Sequence, residues 1–414
     1  MSHLTKAALG LTTSILALSG SAALADCGIE SGDIRILGNE FGAIQAVVGR
    51  AEACATDSVT VESNLTTEHR DLQVAALTAN PAQYTSAIVA NSSIVPLLNA
   101  DLIRPLDDLI AAHGQNLAPT QMISIGGQVM AIAFMANAQH LFYREDILEQ
   151  AGVDVPTTYE ELLAAAAAIE EQGIMTDPVA LNTMTGWNLG EEFINMYLGH
   201  GGEFFEPGTA NVSINNEAGI KSLEMLKALT EYSNPDFLTF DSNATQAAWE
   251  AGQVALGIMW GSRGGGILDD EGAEPGVVEN TKLAGALTVD GGSTPATTLW
   301  WDGFTIAKNI SDEDAEATFI AMVNGIDPAV LEENSDAAVW LIEGYEPTPA
   351  AAGVSASAQS GARPYPMIPF MGLLHTALGN ELSDYLQGNE SAEQALADVE
   401  AAYTTAAREQ GFLQ

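Results

Sequence analysis

Short apolar runs alternate with helical patterns through the first part of the chain. A β-type run at 34–37 ends in Gly38-Asn39-Glu40-Phe41 and a helical pattern follows at 43–53. A second run at 59–62 gives way to Thr66-Thr67-Glu68-His69-Arg70 and a helical pattern at 72–79, and a third at 84–89 ends in Ala90-Asn91-Ser92-Ser93. Strand and helix alternating across short polar joints predict an α/β fold with a parallel sheet wrapped by helices. Ligands of such sheets bind beyond the carboxyl ends of the strands. Asn39, Glu40, Thr66, Glu68, His69, Asn91 and Ser92 are therefore expected around one site. Thr66, Asn91 and Ser92 also precede helices, where capping is the competing role.

Further along, Gly126-Gly127 leads into an apolar run at 129–135 that is interrupted at Ala136-Asn137 and resumes at 141–143. A strand that leaves one sheet for another has this pattern. After Pro156, Thr157 and Thr158 each stand three residues before Glu160 and Glu161, which marks a helix start, and Gly173 marks its end. Residues 188–252 read as largely helical with a stop at Asn234-Pro235-Asp236, and a strand at 254–259 runs into Trp260-Gly261-Ser262-Arg263 and three glycines. The acidic stretch 269–280 predicts a surface loop, and 298–307 a second extended segment centred on Trp300-Trp301-Asp302. Ser311 with Asp314 and Ser391 with Gln394 open further helices, while 347–361 reads as a linker.

With 414 residues, 47% hydrophobic and 16% charged, the chain has room for two folded domains. Its 55 acidic against 13 basic side chains leave a formal charge of -42, which repels phosphate backbones and excludes nucleic acid as the expected partner. Lys6, the apolar stretch at 7–18 and Ala23-Leu24-Ala25 predict a signal peptide over 1–25, cleaved after Ala25, and hence an exported protein. Asp26 stands before Cys27 where a lipoprotein signal needs a small residue. No later stretch reaches the about 18 apolar residues of a membrane span. Cys27 and Cys54, in a compartment that permits disulfides, are expected to pair, with two buried thiols as the alternative.

Consecutive Trp300 and Trp301 in an extended segment face opposite ways, so one is expected to face a cleft and the other to pack. An indole face stacks on the C–H face of a sugar or on a quaternary ammonium group, and Asp302 offers acceptors for hydroxyls. Trp187 is a further aromatic candidate. Signals for catalysis are missing: no histidines stand at i and i+4, Ser262 lacks the glycines of a nucleophile elbow, and Asp269-Asp270 lies in the predicted loop. A binding protein without metal or cofactor is expected.

The stretch 128–173 carries a glycine turn, an apolar strand, Asn137 ahead of the aromatic strand at 141–143, Ala151-Gly152, and Pro156-Thr157-Thr158-Tyr159-Glu160-Glu161-Leu162. It resembles the family 1 extracellular solute-binding proteins of ABC importers, the group that contains maltose-binding protein. Asp101-Leu102-Ile103-Arg104-Pro105-Leu106-Asp107, the segment 248–262, the segment 304–323 and the helix at 391–407 resemble that family in the same order. The resemblance implies a two-lobe type II periplasmic binding fold joined by a hinge. The N-terminal lobe is expected at 26–135 plus 303–345, and the C-terminal lobe at 136–302 plus 346–414. It implies a monomer that closes on a small solute and docks on an ABC permease. It also brings Asn137, Trp260, Gly261, Ser262, Arg363 and Tyr365 into the expected site, although Trp260 stands two residues before the family's usual tryptophan position. A sugar, oligosaccharide, polyol or glycoside is the expected solute. A betaine or choline is the runner-up, and an exported polysaccharide-degrading enzyme the third reading.

Overall fold

In the computed structural model residues 27–269 and 272–414 are described, so the expected leader and its cleavage after Ala25 lie outside the described residues. Two β-sheets organise the chain. In the first, β1 (Gly32–Gly38) pairs in parallel with β2 (Val59–Leu65) and β3 (Ser86–Ala90), and helices Gly42–Glu52 and His69–Thr78 connect them. β4 (Met122–Ile125) and β5 (Gln128–Asn137) form a hairpin whose turn places Gly126 and Gly127 at φ 62 and 86, a region that favours glycine. The second sheet holds β6 (Gln139–Arg144), β7 (Val179–Ala180), β8 (Leu256–Trp260) and β9 (Thr281–Ala284) in the order β7-β8-β6-β9.

β10 (Thr298–Ile306) returns to the first sheet and lies antiparallel between β3 and β5. β11 (Val339–Trp340) adds to the outer side of β5, and β12 (Arg363–Pro364) pairs with the start of β10. The chain thus crosses between the sheets at Ala138 and again ahead of β10. The parallel sheet expected from the opening pattern holds for β1, β2 and β3, and the one other parallel pair described in this sheet is the short β12 on β10. β10 and β5 come from crossing segments rather than strand–helix–strand units, so the whole sheet is mixed.

Period-two alternation decides which face each side chain takes. On β3, Ile88 joins Ile34, Val47 and Phe319 on one face of the first sheet, while Ala87 and Val89 join Leu77 and Ile94 on the other. The second sheet packs Leu141, Leu256 and Ile258 against Phe193, Tyr197 and Tyr403, and Phe142 and Met259 against Trp249. Burying each such side chain contributes about 1.5–3 kcal/mol. Three helix starts take their expected caps: Thr158 Oγ1 accepts from Glu161 N, Ser311 Oγ from Asp314 N and Ser391 Oγ from Gln394 N.

Two expectations change. The stretch 347–361 is not a linker; it contains helix Ala352–Gln359, whose Gly353 presses against His140 so closely that a Cβ would collide with the ring. Its small residues serve close packing, not flexibility. The predicted loop at 269–280 ends in the short helix Val277–Asn280, with Val277 buried among Phe142, Trp249 and Ile267. Cys27 and Cys54 are disulfide-bonded, which ties the start of the described chain to the residues just after helix Gly42–Glu52 and removes the free-thiol alternative. Among the described residues no helix is long and apolar enough to cross a membrane.

Candidate ligand cleft

The carboxyl ends of β1, β2 and β3 open onto a cleft of about 820 Å³ whose opposite wall comes from the elements around the second sheet. Asn39, Glu68, Arg70 and Ser92 reach it from the first sheet's loops. Trp260, Ser262 and Arg263 reach it from the end of β8. On β10, Trp300 and Asp302 point into it, and Trp301 between them packs with Val89 and Ile94. The pairing of β10 with β5 shifts register between Asp302 and Gly303, an irregularity of the kind that re-aims a side chain.

Trp187 opens helix Trp187–Gly199 and is set by its neighbours. Gly186 takes φ 102 and its N–H donates to Gly379 O, and a Cβ on Gly379 would strike the Gly186 carbonyl. His375 then stacks on Trp187 at 4.8 Å between ring centroids. Burial pushes the His375 imidazole down to about 3, so the ring is neutral. Its Nε2 lies 2.7 Å from Trp187 O and its Nδ1 2.9 Å from the Tyr365 hydroxyl. A carbonyl only accepts, so Nε2 donates to it and Nδ1 accepts from Tyr365. Tyr365 in turn packs 4.3 Å from the Trp300 ring.

Trp300 Nε1 donates to Glu191 Oε1 at 3.1 Å and to Thr298 Oγ1 at 2.7 Å, which fixes the indole from behind. Burial pushes Glu191 up to about 8, against the hydrogen bonds from Thr298 and Trp300 that favour its charged form. The adjacent Glu192 accepts from Gln139 and Asn182 and is pushed up to about 7 by the same burial. Arg70 lies over the outer face of this aromatic group, its guanidinium carbon 4.0 Å from the Trp187 centroid. Its Nε is buried without a hydrogen-bond partner. Burial also pushes Asp302 up to about 7, with the nearby Arg70 charge pulling the other way. The arrangement offers a wall of indoles beside an arginine and a carboxyl.

The structure brings together Asn39, Glu68, Ser92, Asn137, Trp187, Trp260, Ser262, Trp300, Asp302 and Tyr365 of the expected site. The others stand elsewhere for identifiable reasons. His69 is buried with Nδ1 3.1 Å from Thr66 O, and burial beside Arg70 pushes it down to about 3. Thr66 turns its hydroxyl to Glu68 N. Asn91 stitches β3 to β10 by accepting from Trp301 N at 2.9 Å. Gly261 is a packing glycine, since a Cβ there would collide with Val354. Glu40 lines a neighbouring cavity of about 1070 Å³ that shares Ser262 and Arg263 with the cleft. Arg363 is exposed, pairs with Glu203 at 3.2 Å and is not among the residues that line the cleft. Arg70 and His375, which line the cleft, and Glu191, which holds Trp300 from behind, were not among the expected residues. Arg70 sits in the polar joint after β2 that pointed to the site, and nothing local distinguishes the other two.

The family described as "Bacterial extracellular solute-binding protein" matches residues 39–327. A "Probable ABC transporter-binding protein" of Deinococcus radiodurans is 24% identical over 259 residues, which span 56% of this chain and 58% of that protein. The maltose-bound MalE3 of T. maritima superposes with TM-score 0.78 at 17% identity over 91% of this chain and 100% of its own. A solute-binding protein of Agrobacterium radiobacter K84 in complex with ribitol gives 0.78 at 19% identity, covering 91% and 98%. One from Agrobacterium vitis S4 with D-mannitol gives 0.75 at 17%, covering 92% and 99%.

Proposed function

The chain belongs to the bacterial extracellular solute-binding proteins, and we propose that it captures a carbohydrate or polyol in this cleft and delivers it to an ABC permease from the periplasm. It is a binding protein rather than an enzyme. The observation that carries the ligand class is the pairing of Trp187, Trp260 and Trp300 with Arg70 and Asp302, neither of whose side chains makes a hydrogen bond to the described residues. A sugar presents apolar C–H faces together with hydroxyls that donate and accept, which matches indoles beside an open carboxyl and an open guanidinium. The cleft volume falls within the range of small-molecule sites. Relatives of the same fold hold maltose, ribitol and D-mannitol.

A betaine-type aromatic cage is less well supported. The rings pack on one another at centroid distances from 4.3 to 6.2 Å, leaving no gap for an ammonium group among them, and Arg70 already covers Trp187. Closure is assigned to the two crossings, where Thr297 Oγ1 donates to Gln139 O at 2.8 Å and Asn137 is bonded to Ser262. The lobes it would move are 26–135 plus 303–345 and 136–302 plus 346–414.

The test is a thermal-shift screen of the exported chain against mono- and oligosaccharides, polyols, sugar acids and betaines. Sugars or polyols that raise the Tm, and that mass spectrometry recovers unaltered, are the expected result. A response to betaines alone, or conversion of a glycan, contradicts the proposal.

A further inference from the structure

Arginine reads carboxylates with a planar two-pronged fork, and an acid-rich chain leaves few arginines without one. Arg35, Arg104, Arg144 and Arg363 pair with Asp33, Asp312, Asp146 and Glu203, and Arg50 stands 3.9 Å from Asp327. Arg408 donates to Gln414 O. The two remaining arginines, Arg70 and Arg263, both line the cleft, and neither has an ion pair among the described residues.

Arg263 donates only to neutral groups, Ser242 Oγ at 2.7 Å and Gln246 Oε1 at 3.3 Å. The Arg70 guanidinium makes no hydrogen bond to the described residues, and its Nε is sealed from solvent. Both arginines are half-buried, and a desolvated donor such as Arg70 Nε is costly until an acceptor arrives. The acids whose charges act on Arg70 include Asp302, Glu191 and Asp71, and those acting on Arg263 are Asp241, Glu40 and Glu250. None is within ion-pairing distance of either arginine. Burial holds Asp302 and Glu191 toward their neutral forms, which weakens their claim on Arg70, and neither forms an ion pair with it. Stacking on Trp187 keeps the guanidinium in place before any ligand binds, which lowers the ordering entropy of recognition.

We infer that the solute carries a carboxylate, as an aldonate or uronate does, and that Arg70 reads it with Arg263 as the second cation of the cleft. The inference rests on the carbohydrate-binding reading above and narrows it to sugar acids. The protein's negative field works against anions at long range, so two unpaired arginines are what an anionic ligand needs locally.

The experiment is isothermal titration of the exported chain with matched pairs, D-gluconate against D-glucitol and D-galacturonate against D-galactose. It is repeated on R70Q, R70K, R263Q and, as a surface control, R363Q. The acid of at least one pair is expected to bind about tenfold or more tightly than its neutral partner. R70Q is expected to abolish that preference, R70K and R263Q to reduce it, and R363Q to leave it intact. Ligand-free melting curves identify any variant that fails to fold, and R70K keeps charge and stem if R70Q is lost. Neutral partners binding as tightly as the acids, or an acid preference that survives in folded R70Q or R70K, overturns the inference while sparing the carbohydrate reading. If no member of either pair binds while the screen finds a neutral sugar, the sugar-acid inference alone is overturned. Silence of the whole screen overturns both.

Discussion

The guanidinium carbon of Arg70 lies 4.0 Å from the ring centroid of Trp187, so the helix after β2 touches the helix after β7 across the cleft. The contact joins a charge that has no acceptor to an aromatic face that His375 holds from behind. Both partners are thereby placed before ligand arrives.

Trp187→Ala removes the ring on which Arg70 is stacked and is expected to weaken binding of a sugar found in the screen by about 1–3 kcal/mol, roughly 5- to 150-fold in Kd. Trp301→Ala is the contrasting variant, because Trp301 packs with Val89 and Ile94 away from the cleft. It is expected to lower stability by about 1–3 kcal/mol and leave Kd within about twofold. Titration calorimetry beside urea unfolding separates the two.

Stability should depend on pH through groups that burial shifts in opposite senses. Asp302, Glu191 and Glu192 are raised to about 7, 8 and 7, so above about 4.5 the fold retains protons that the unfolded chain has released. That lowers stability as pH rises through the window up to about 8. His69, His140 and His375 are lowered to about 3, 4 and 3, so the unfolded chain binds more protons up to its ordinary 6.5 and stability rises with pH over that range. The two sets oppose each other between about 4.5 and 6.5, and only the acids act above it. A Tm nearly flat from pH 5 to about 6.5, falling toward pH 8, is expected by scanning fluorimetry. Glu191→Gln should make the fall shallower, and a Tm that rises from pH 6.5 to 8 would contradict the assignment.

Much of the fold was legible because it is written in local rules. The caps at Thr158, Ser311 and Ser391, the first three strands and the crossing after Asn137 follow from spacing alone. Parity along β10 separated Trp300 from Trp301, and the cysteine pair followed from compartment and count. The cleft was harder, since it is assembled by contacts between distant segments. The family resemblance pointed to Arg363, yet Glu203, 160 residues away in sequence, pairs with it on the surface. His69 and Arg70 are neighbours on one helix, and only packing turns the first inward and the second into the cleft. The Ala/Gly/Ser stretch before Arg363 has the composition of a linker, and only His140 on the facing strand shows why those residues must be small.

Reduction of the Cys27–Cys54 bond releases a loop with a sequence separation of 27. By the chain-entropy account this costs about 3–4 kcal/mol, so the C27S/C54S double variant should unfold at lower denaturant while keeping its ligand Kd within about twofold. Chemical denaturation with and without reductant provides the comparison.

Gly353→Val places a branched side chain where even a Cβ meets the His140 ring, and should destabilise the protein by about 1–3 kcal/mol or prevent folding. Gly344→Ser in the exposed turn after β11, where φ is 87, is milder, since it meets backbone strain but no neighbouring atom. Equal melting temperatures for the two variants would contradict the packed-helix reading of the 352–359 segment.

Hydrogen exchange of the exported chain with and without a sugar or sugar acid from the screen tests the central claim most directly. The account predicts that amides around Glu68–Gln73 on one wall and Trp187–Asn188 and Ser262–Arg263 on the other gain protection together, while helix Ala392–Glu409 does not change. Stabilisation by the ligand with protection confined to one wall, or lying outside the cleft, would contradict it.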